Sequence, residues 1–191
     1  YGSGGSQVAK ILAERMGVWC YDRDILTIAA ERIGNEELTE DTINDLNYKR
    51  NDVASAGITG VMGMGNIPIY NQMFLEQAKI IRKLANYGSA VFLGRCADYI
   101  LKDIKNCTSV YLYADREFRK NRVKEIYGSN AEIMDKEEKN RADYYNYYTG
   151  NRWGDINNYD FAINTSKVSF EEAADLIYRF AKDKQKNLKD R

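Results

Sequence analysis

The chain has 191 residues, 44% of them hydrophobic, with 28 basic and 28 acidic side chains; that length suits one domain, and the apolar share is enough to bury a core. Balanced charge leaves no global field to hold DNA or RNA, and no run reaches the apolar length of a membrane span, so neither a nucleic-acid nor a membrane partner is expected. Histidine is absent, which removes Ser-His and Cys-His nucleophilic schemes and most zinc sites, and three scattered cysteines, Cys20, Cys96 and Cys107, make no disulfide framework, so a reducing cytoplasm is expected.

The chain opens on Tyr1-Gly-Ser-Gly-Gly-Ser6, a glycine-rich turn, after which Val8, Ile11, Leu12 and Met16 recur at helical spacing up to Gly17. In a strand-loop-helix unit a strand feeds such a loop, so about 5–10 further residues with a β-prone run are expected before Tyr1. Val18-Trp-Cys-Tyr21 is β-prone. Asp22 can cap the next helix, which carries Ile25, Leu26, Ile28, Ala29 and Ile33 on one face and ends at Gly34. A more polar helix is expected from Glu36 to about Asn51. Ala54 to Asn66, with Gly57, Gly60, Gly63 and Gly65, reads as a flexible loop, and Pro68 restarts order. A long helix then runs to about Asn86, with Met73, Phe74, Leu75, Ala78, Ile81 and Leu84, and Gly88 closes it. Ala90–Leu93, Ser109–Tyr113 and Phe161–Ile163 are apolar runs of strand length, each followed by polar residues and a helical pattern. Strands alternating with helices imply βαβ units and a parallel sheet. The last helix begins near Ser169, where Ser169-Phe-Glu-Glu172 forms a capping box, and its charged end from Lys182 to Arg191 is expected to fray.

The chemistry-bearing residues lie at the ends of these elements. Gly2-Ser-Gly-Gly5 opens a helix, so its main-chain N–H groups and the helix N-terminus together suit an anion such as phosphate; a plain turn is the alternative. The usual phosphate loop, G-x-x-x-x-G-K-[ST], supplies a lysine and a hydroxyl. Here Gly5 or Ser6 stands at the lysine position and Gln7 at the hydroxyl position. Asp22 and Arg23 follow the second strand, either as a cap and a solvated neighbour or as lining of a ligand crevice. Arg95 closes a strand and either binds phosphate or pairs with a nearby acid. Arg116, Arg119 and Arg122 follow the strand ending at Asp115, and the last two share a helix face. Arg141, Asp143 and Arg152 bracket Tyr144-Tyr-Asn-Tyr-Tyr148, whose four tyrosines cannot all face one core, so some pack between segments or line a groove. Asn164-Thr165-Ser166 follows the last strand.

Together, Tyr1-Gly-Ser-Gly-Gly, Ala9-Lys10, Leu12-Ala13, Tyr21-Asp-Arg-Asp-Ile-Leu26, Leu93-Gly94-Arg95, Tyr144 to Gly150, Trp153-Gly154, and Tyr159-Asp160 with Ile163-Asn-Thr-Ser166 cover nearly the whole chain. This series resembles the cytidylate kinase-like proteins, P-loop kinase relatives of bacterial CMP kinase. The resemblance and the βαβ pattern imply an α/β three-layer sandwich with a parallel sheet of about five strands. The resemblance further implies a substrate-side helical section near residues 23–88 and a lid near 128–156. It implies transfer of the γ-phosphoryl group of ATP, with Mg2+ bridging the phosphates, to a nucleoside monophosphate (CMP-like) or similar small acceptor. Gly2, Ser3, Gly4, Gly5, Ser6, Gln7, Arg119, Arg122, Asn164 and Thr165 would then face ATP. Asp22, Arg23 and Arg95 would face the acceptor, and Arg141, Asp143 and Arg152 would carry catalysis. Two departures bear on this: Ser6 stands where many members have arginine, and Cys96 follows Arg95 where CMP kinases have aspartate. The alternative is a nucleotide- or anion-binding protein without turnover that acts through partners; homo-oligomerisation is left open.

Overall fold

The computed structural model describes residues 1–22, 24–33, 69–128 and 131–189. The polar helix expected at 36–51, the glycine-rich loop at 54–66 and Arg23 lie outside the described residues.

Helix α1 spans Gly5–Met16 and buries Val8, Ala9, Leu12 and Ala13, one stripe at helical spacing. It stops at Gly17, whose N–H caps the carbonyls of Ala13 and Glu14 in the left-handed conformation glycine tolerates. Strand β1 (Trp19–Tyr21) and helix α2 (Asp24–Ile33) follow. Helix α3 (Ile69–Tyr87) buries Ile69, Met73, Gln77, Ile80 and Ile81 on one face. Strand β2 (Ala90–Phe92), the single turn α4 (Ala97–Ile100) and strand β3 (Val110–Tyr113) come next. Helices α5 (Arg116–Tyr127) and α6 (Ala131–Thr149) lead to a 3-10 turn at Ile156–Asn158, strand β4 (Phe161–Asn164) and helix α7 (Phe170–Lys189). The capping box at the start of α7 forms: the Ser169 N–H donates to the Glu172 carboxylate at 2.8 Å, and the Glu172 N–H to the Ser169 hydroxyl at 3.1 Å.

The expected sandwich around a five-stranded parallel sheet is overturned. Among the described residues the protein is mostly helical, with two separate two-stranded parallel sheets. β1 pairs with β2 (Trp19↔Ala90 to Tyr21↔Phe92), and β3 pairs with β4 (Val110↔Phe161 to Tyr113↔Asn164). The four apolar runs do form strands, but each is three or four residues long and each has one partner. No ladder joins β2 to β3 among the described residues. Alternation in the sequence signals that strands exist and are parallel; it does not count their neighbours.

Packing follows the same division. One core gathers Ile25, Met73, Ile80, Ile81, Cys96, Ile100, Tyr144 and Tyr145 from α2, α3, α6 and the segment around α4. The other gathers Val8, Leu12, Ile163, Ala173, Ala174 and Ile177 from α1, β4 and α7. Each fully buried aliphatic side chain contributes about 1.5–3 kcal/mol. Helix α1 joins the halves, because it packs on α7 and also reaches β1 and β2. At the far end, the Lys184 ammonium fixes α7 to the sheet edge through Asp160 at 2.8 Å and the Cys107 carbonyl at 2.6 Å. No described helix is long and apolar enough to cross a membrane.

Candidate functional site

The Gly2–Gln7 loop enters α1 through Gly4, the N-cap, at φ 80° and without a side-chain cap. The Gly4 carbonyl accepts the N–H groups of Gln7 at 3.0 Å and Val8 at 3.1 Å. The N–H groups of Gly5 and Ser6, in the first turn, have no intrahelical acceptor, and they lie at the positive end of the helix dipole. Two walls hold this loop. A β-carbon on Gly2 would fall 2.9 Å from the Val123 side chain and 3.1 Å from the Arg119 carbonyl, so α5 runs directly behind it. A β-carbon on Gly4 would fall 2.4 Å from the Phe170 ring, so the start of α7 closes the other side. Glycine at both positions is required by contact as well as by φ.

Two arginines from one face of α5 reach the two ends of the loop. The Arg119 guanidinium donates to the Tyr1 carbonyl at 3.4 Å and to Glu138 of α6 at 2.9 Å. The Arg122 guanidinium donates to the side-chain oxygen of Gln7 and lies 4.6 Å above the Phe170 ring. The Gln7 side chain therefore faces an arginine. Arg141 of α6 lies 5.2 Å above the Tyr1 ring, which places a third cation on the same side. Arg116 points elsewhere, into a two-pronged ion pair with Asp135 at 2.7 and 2.6 Å.

The other sequence candidates are dispersed. Asp143 pairs with Lys139 along the exposed face of α6 at 2.8 Å, and Arg152 is exposed beyond the end of that helix. Asn164 donates to Asp115 at 3.0 Å and accepts from the Ser166 N–H at 3.0 Å, so it builds the β4–α7 turn. Thr165 is buried, with its hydroxyl 2.7 Å from the Ser3 carbonyl. Asp22 is half-buried at the end of β1.

Arg95 follows β2 and is 2% exposed. Gly94, Arg95 and Cys96 are all left-handed, with φ of 68°, 60° and 56°. Each non-glycine residue in that conformation costs on the order of 1–2 kcal/mol and persists where packing over-determines it. Burial pushes the Cys96 thiol well above its ordinary value, so it is an inert neighbour of the arginine and no nucleophile.

Sequence reasoning missed several residues. Glu138 carries no signal in the sequence, yet it binds Arg119 beside the loop. In sequence Phe170 is only the second residue of a capping box, yet it is the wall over Gly4. Asp98 accepts the Tyr145 hydroxyl at 2.6 Å and fastens α6 to α4. The single sequence signal for Asp98 is its place two residues after Cys96 in a strand-to-helix turn. Hydrogen bonding to Lys167, then Asn164 and Ser166, draws the exposed Asp115 carboxylate down to about 2. An open depression of about 450 Å³ beside this turn is lined by Phe118, Thr165, Lys167, Ser169, Phe170 and Glu172. Among the described residues no cluster of three or more His, Cys, Asp or Glu side chains forms a metal cage.

The family model of the cytidylate kinase-like family matches residues 1–167. No curated protein matches the chain. Among solved structures, the crystal structure of an uncharacterized protein from Eubacterium ventriosum matches with a TM-score of 0.69 and 28% sequence identity, covering 95% of this chain and 93% of that one.

Proposed function

The chain belongs to the cytidylate kinase-like family, and from that premise we propose that it transfers the γ-phosphoryl group of ATP to a nucleoside monophosphate of the CMP type or a similar small acceptor. The observation that carries this reading is the convergence of Arg119 and Arg122, from one face of α5, onto the two ends of the Gly2–Gln7 loop. Phosphoryl transfer asks little covalent chemistry of a protein; it needs positioning and positive charge around the moving group. The loop supplies main-chain N–H donors and no cationic side chain, and α5 supplies the cations from outside it.

The donor set fits a nucleotide triphosphate. Orphan N–H groups at a helix N-terminus donate to phosphate oxygens, and guanidinium groups bind those oxygens in pairs. The fit to magnesium is looser. Magnesium needs few protein ligands when phosphates hold it, and Gln7, engaged with Arg122, offers an amide oxygen in place of a hydroxyl. Bound with the nucleotide, magnesium would supply charge neutralisation of the phosphates. Arg95, buried behind β2 in a left-handed backbone, is the proposed contact for the acceptor phosphate. Arg141, which already lies on the loop side of α6, is the proposed lid cation. Asp143 and Arg152 belong to the same segment but have no contact with the loop among the described residues.

A nucleotide-binding protein without turnover is the second reading, and Ser6 and Gln7, in place of the usual lysine and hydroxyl, favour it. One assay separates the two. Each nucleoside monophosphate is incubated with ATP and magnesium, and ADP formation is followed alongside calorimetric binding. ADP release that depends on one acceptor supports the kinase. Binding of ATP with no ADP across the panel supports the silent reading, and no binding at all overturns both.

A further inference from the structure

Thr165 is 2% exposed, and its hydroxyl oxygen lies 2.7 Å from the Ser3 carbonyl and 3.0 Å from the Tyr113 carbonyl. The Tyr113 carbonyl already accepts the Thr165 main-chain N–H at 2.8 Å. A hydroxyl has one hydrogen to donate, and the shorter contact is to Ser3. Ser3 lies between Gly2 and Gly4, both left-handed, at φ 83° and 80°. A peptide flanked by two glycines has little conformational preference of its own, so its orientation is set by outside contacts.

The consequence reaches the next residue. No cis peptide occurs in the described chain, and in a planar trans peptide the C=O and the following N–H point in opposite directions. Drawing the Ser3 carbonyl toward Thr165 therefore turns the Gly4 N–H away from Thr165. The turn that holds Thr165 is itself anchored at the start of α5. The Ser166 hydroxyl accepts the Asp115 N–H at 3.2 Å, and the Asp115 carboxylate binds Asn164 at 3.0 Å and Lys167 at 2.8 Å. The same turn leads to Phe170, the wall over Gly4.

We infer that Thr165 is a positioning residue: its buried hydroxyl, hydrogen-bonded to the Ser3 carbonyl, fixes the Ser3–Gly4 peptide so that the Gly4 N–H joins those of Gly5 and Ser6 in receiving phosphate. Thr165 itself does not touch the nucleotide. The phosphate affinity of this loop is thus governed by the β4–α7 turn, 162 residues away in the chain. The ligand in this inference rests on the kinase reading above; the geometry does not.

The test compares wild type with Thr165→Val, which keeps the shape and removes the donor, and Thr165→Ser, which keeps the donor and removes a methyl. Affinity for the non-hydrolysable ATP analogue AMPPNP with magnesium is measured by calorimetry, at a temperature where circular dichroism shows each variant folded. Thr165→Val should bind about five- to thirtyfold more weakly, the scale of one buried hydrogen bond. Thr165→Ser should stay within about twofold of wild type, since its hydroxyl can make the same bond. If Thr165→Val does not fold, Thr165→Cys, of similar volume and with only a weak S–H donor, takes its place. Amide hydrogen exchange without ligand is the second measurement, and Gly2–Gln7 should exchange faster in the Val or Cys variant than in wild type. Wild-type affinity in folded Thr165→Val, or loss in Thr165→Ser equal to that in Thr165→Val, overturns the inference. A wild type that binds no AMPPNP sinks the kinase reading, and unchanged exchange at the loop then sinks the positioning claim separately.

Discussion

Arg122 and Gln7 are 115 residues apart, and the bond between them places a guanidinium where the loop sequence offers none. If that cation serves the phosphates, Arg122→Ala should weaken AMPPNP binding by about 1.5–3 kcal/mol, the range for a hydrogen bond to a charged group. Arg116→Ala is the control, because Arg116 is exposed and engaged with Asp135, and affinity should barely move. Ser6→Arg should tighten binding more in the Arg122→Ala background than in wild type, where a cation is already present. Equal losses for Arg116→Ala and Arg122→Ala, read by calorimetry, would reduce both to general surface charge. Asp98 gives a pH-dependent prediction. Burial raises its carboxyl above the ordinary value of 3.8, and the hydrogen bond from Tyr145 offsets only part of that. The folded state thus favours the protonated form more than the unfolded state does. This contribution to stability is fully present below 3.8 and is lost as pH rises through the raised folded value. Asp98→Asn keeps an acceptor for Tyr145 and has no charge to bury, so its unfolding free energy should lack that decline with pH. Asp98→Ala, which leaves the Tyr145 hydroxyl without this acceptor, should cost about 1–3 kcal/mol at low pH, and that difference should shrink as pH rises through the raised Asp98 value. Parallel pH profiles for wild type and Asp98→Asn in urea titrations would contradict the assignment.

Helix α6 has two ends with different physics. Its C-terminal half buries Tyr144, Tyr145 and Thr149 and stacks Tyr148 on Phe74 of α3, with ring centroids 4.1 Å apart. Its N-terminal half buries only Met134 and is tied to α5 by the Arg116–Asp135 and Arg119–Glu138 ion pairs. The exposed Arg116–Asp135 pair is worth about 0–1 kcal/mol; the half-buried Arg119–Glu138 pair is the firmer tie, but the other end of the helix is held by several buried aromatic rings. A lid spanning 128–156 as one rigid piece would have to pull two core tyrosines out of place. The expected motion is therefore confined to the first half of the helix, with the buried tyrosines as its fixed base. Hydrogen exchange should be fast over residues 131–141 and slow over 144–149 in the free protein, and nucleotide should slow the first segment alone. Equal protection along the whole helix, with or without nucleotide, would remove the lid.

Among the described residues the molecule has two cores and two small sheets, and α1 packs against elements of both. Because α1 packs on α7 and reaches β1 and β2, neither half can lose its packing without disturbing that helix. Unfolding should then be a single transition. Trp153 packs edge-on against Tyr111 at 5.8 Å and reports on the first core, whereas far-UV circular dichroism reports on all helices. Ile177→Ala, in the second core, should cost about 2–5 kcal/mol and shift both signals to the same midpoint. A Trp153 transition that stays at the wild-type midpoint would show that the halves unfold separately.

The sequence by itself determined the elements whose cause is local. The 3.6-residue stripe of α1, the Gly17 stop, the Ser169–Glu172 capping box and the four short apolar runs each arise within a few residues, and each formed where its pattern stood. It also determined the glycine loop and the tyrosine-rich segment, whose residue types carry the family resemblance. The tertiary structure alone decided how the strands pair. An apolar run of three or four residues has no feature that names its partner, so five strands in one sheet and two pairs in two sheets read alike in sequence. It also decided which candidates meet. Thr165 with Ser3, Arg122 with Gln7, Arg119 with Glu138 and Asp98 with Tyr145 are hydrogen bonds across 162, 115, 19 and 47 residues. Periodicity describes which face a residue occupies on its own element; a contact between elements depends on how those elements dock, and that is fixed by packing of the whole chain.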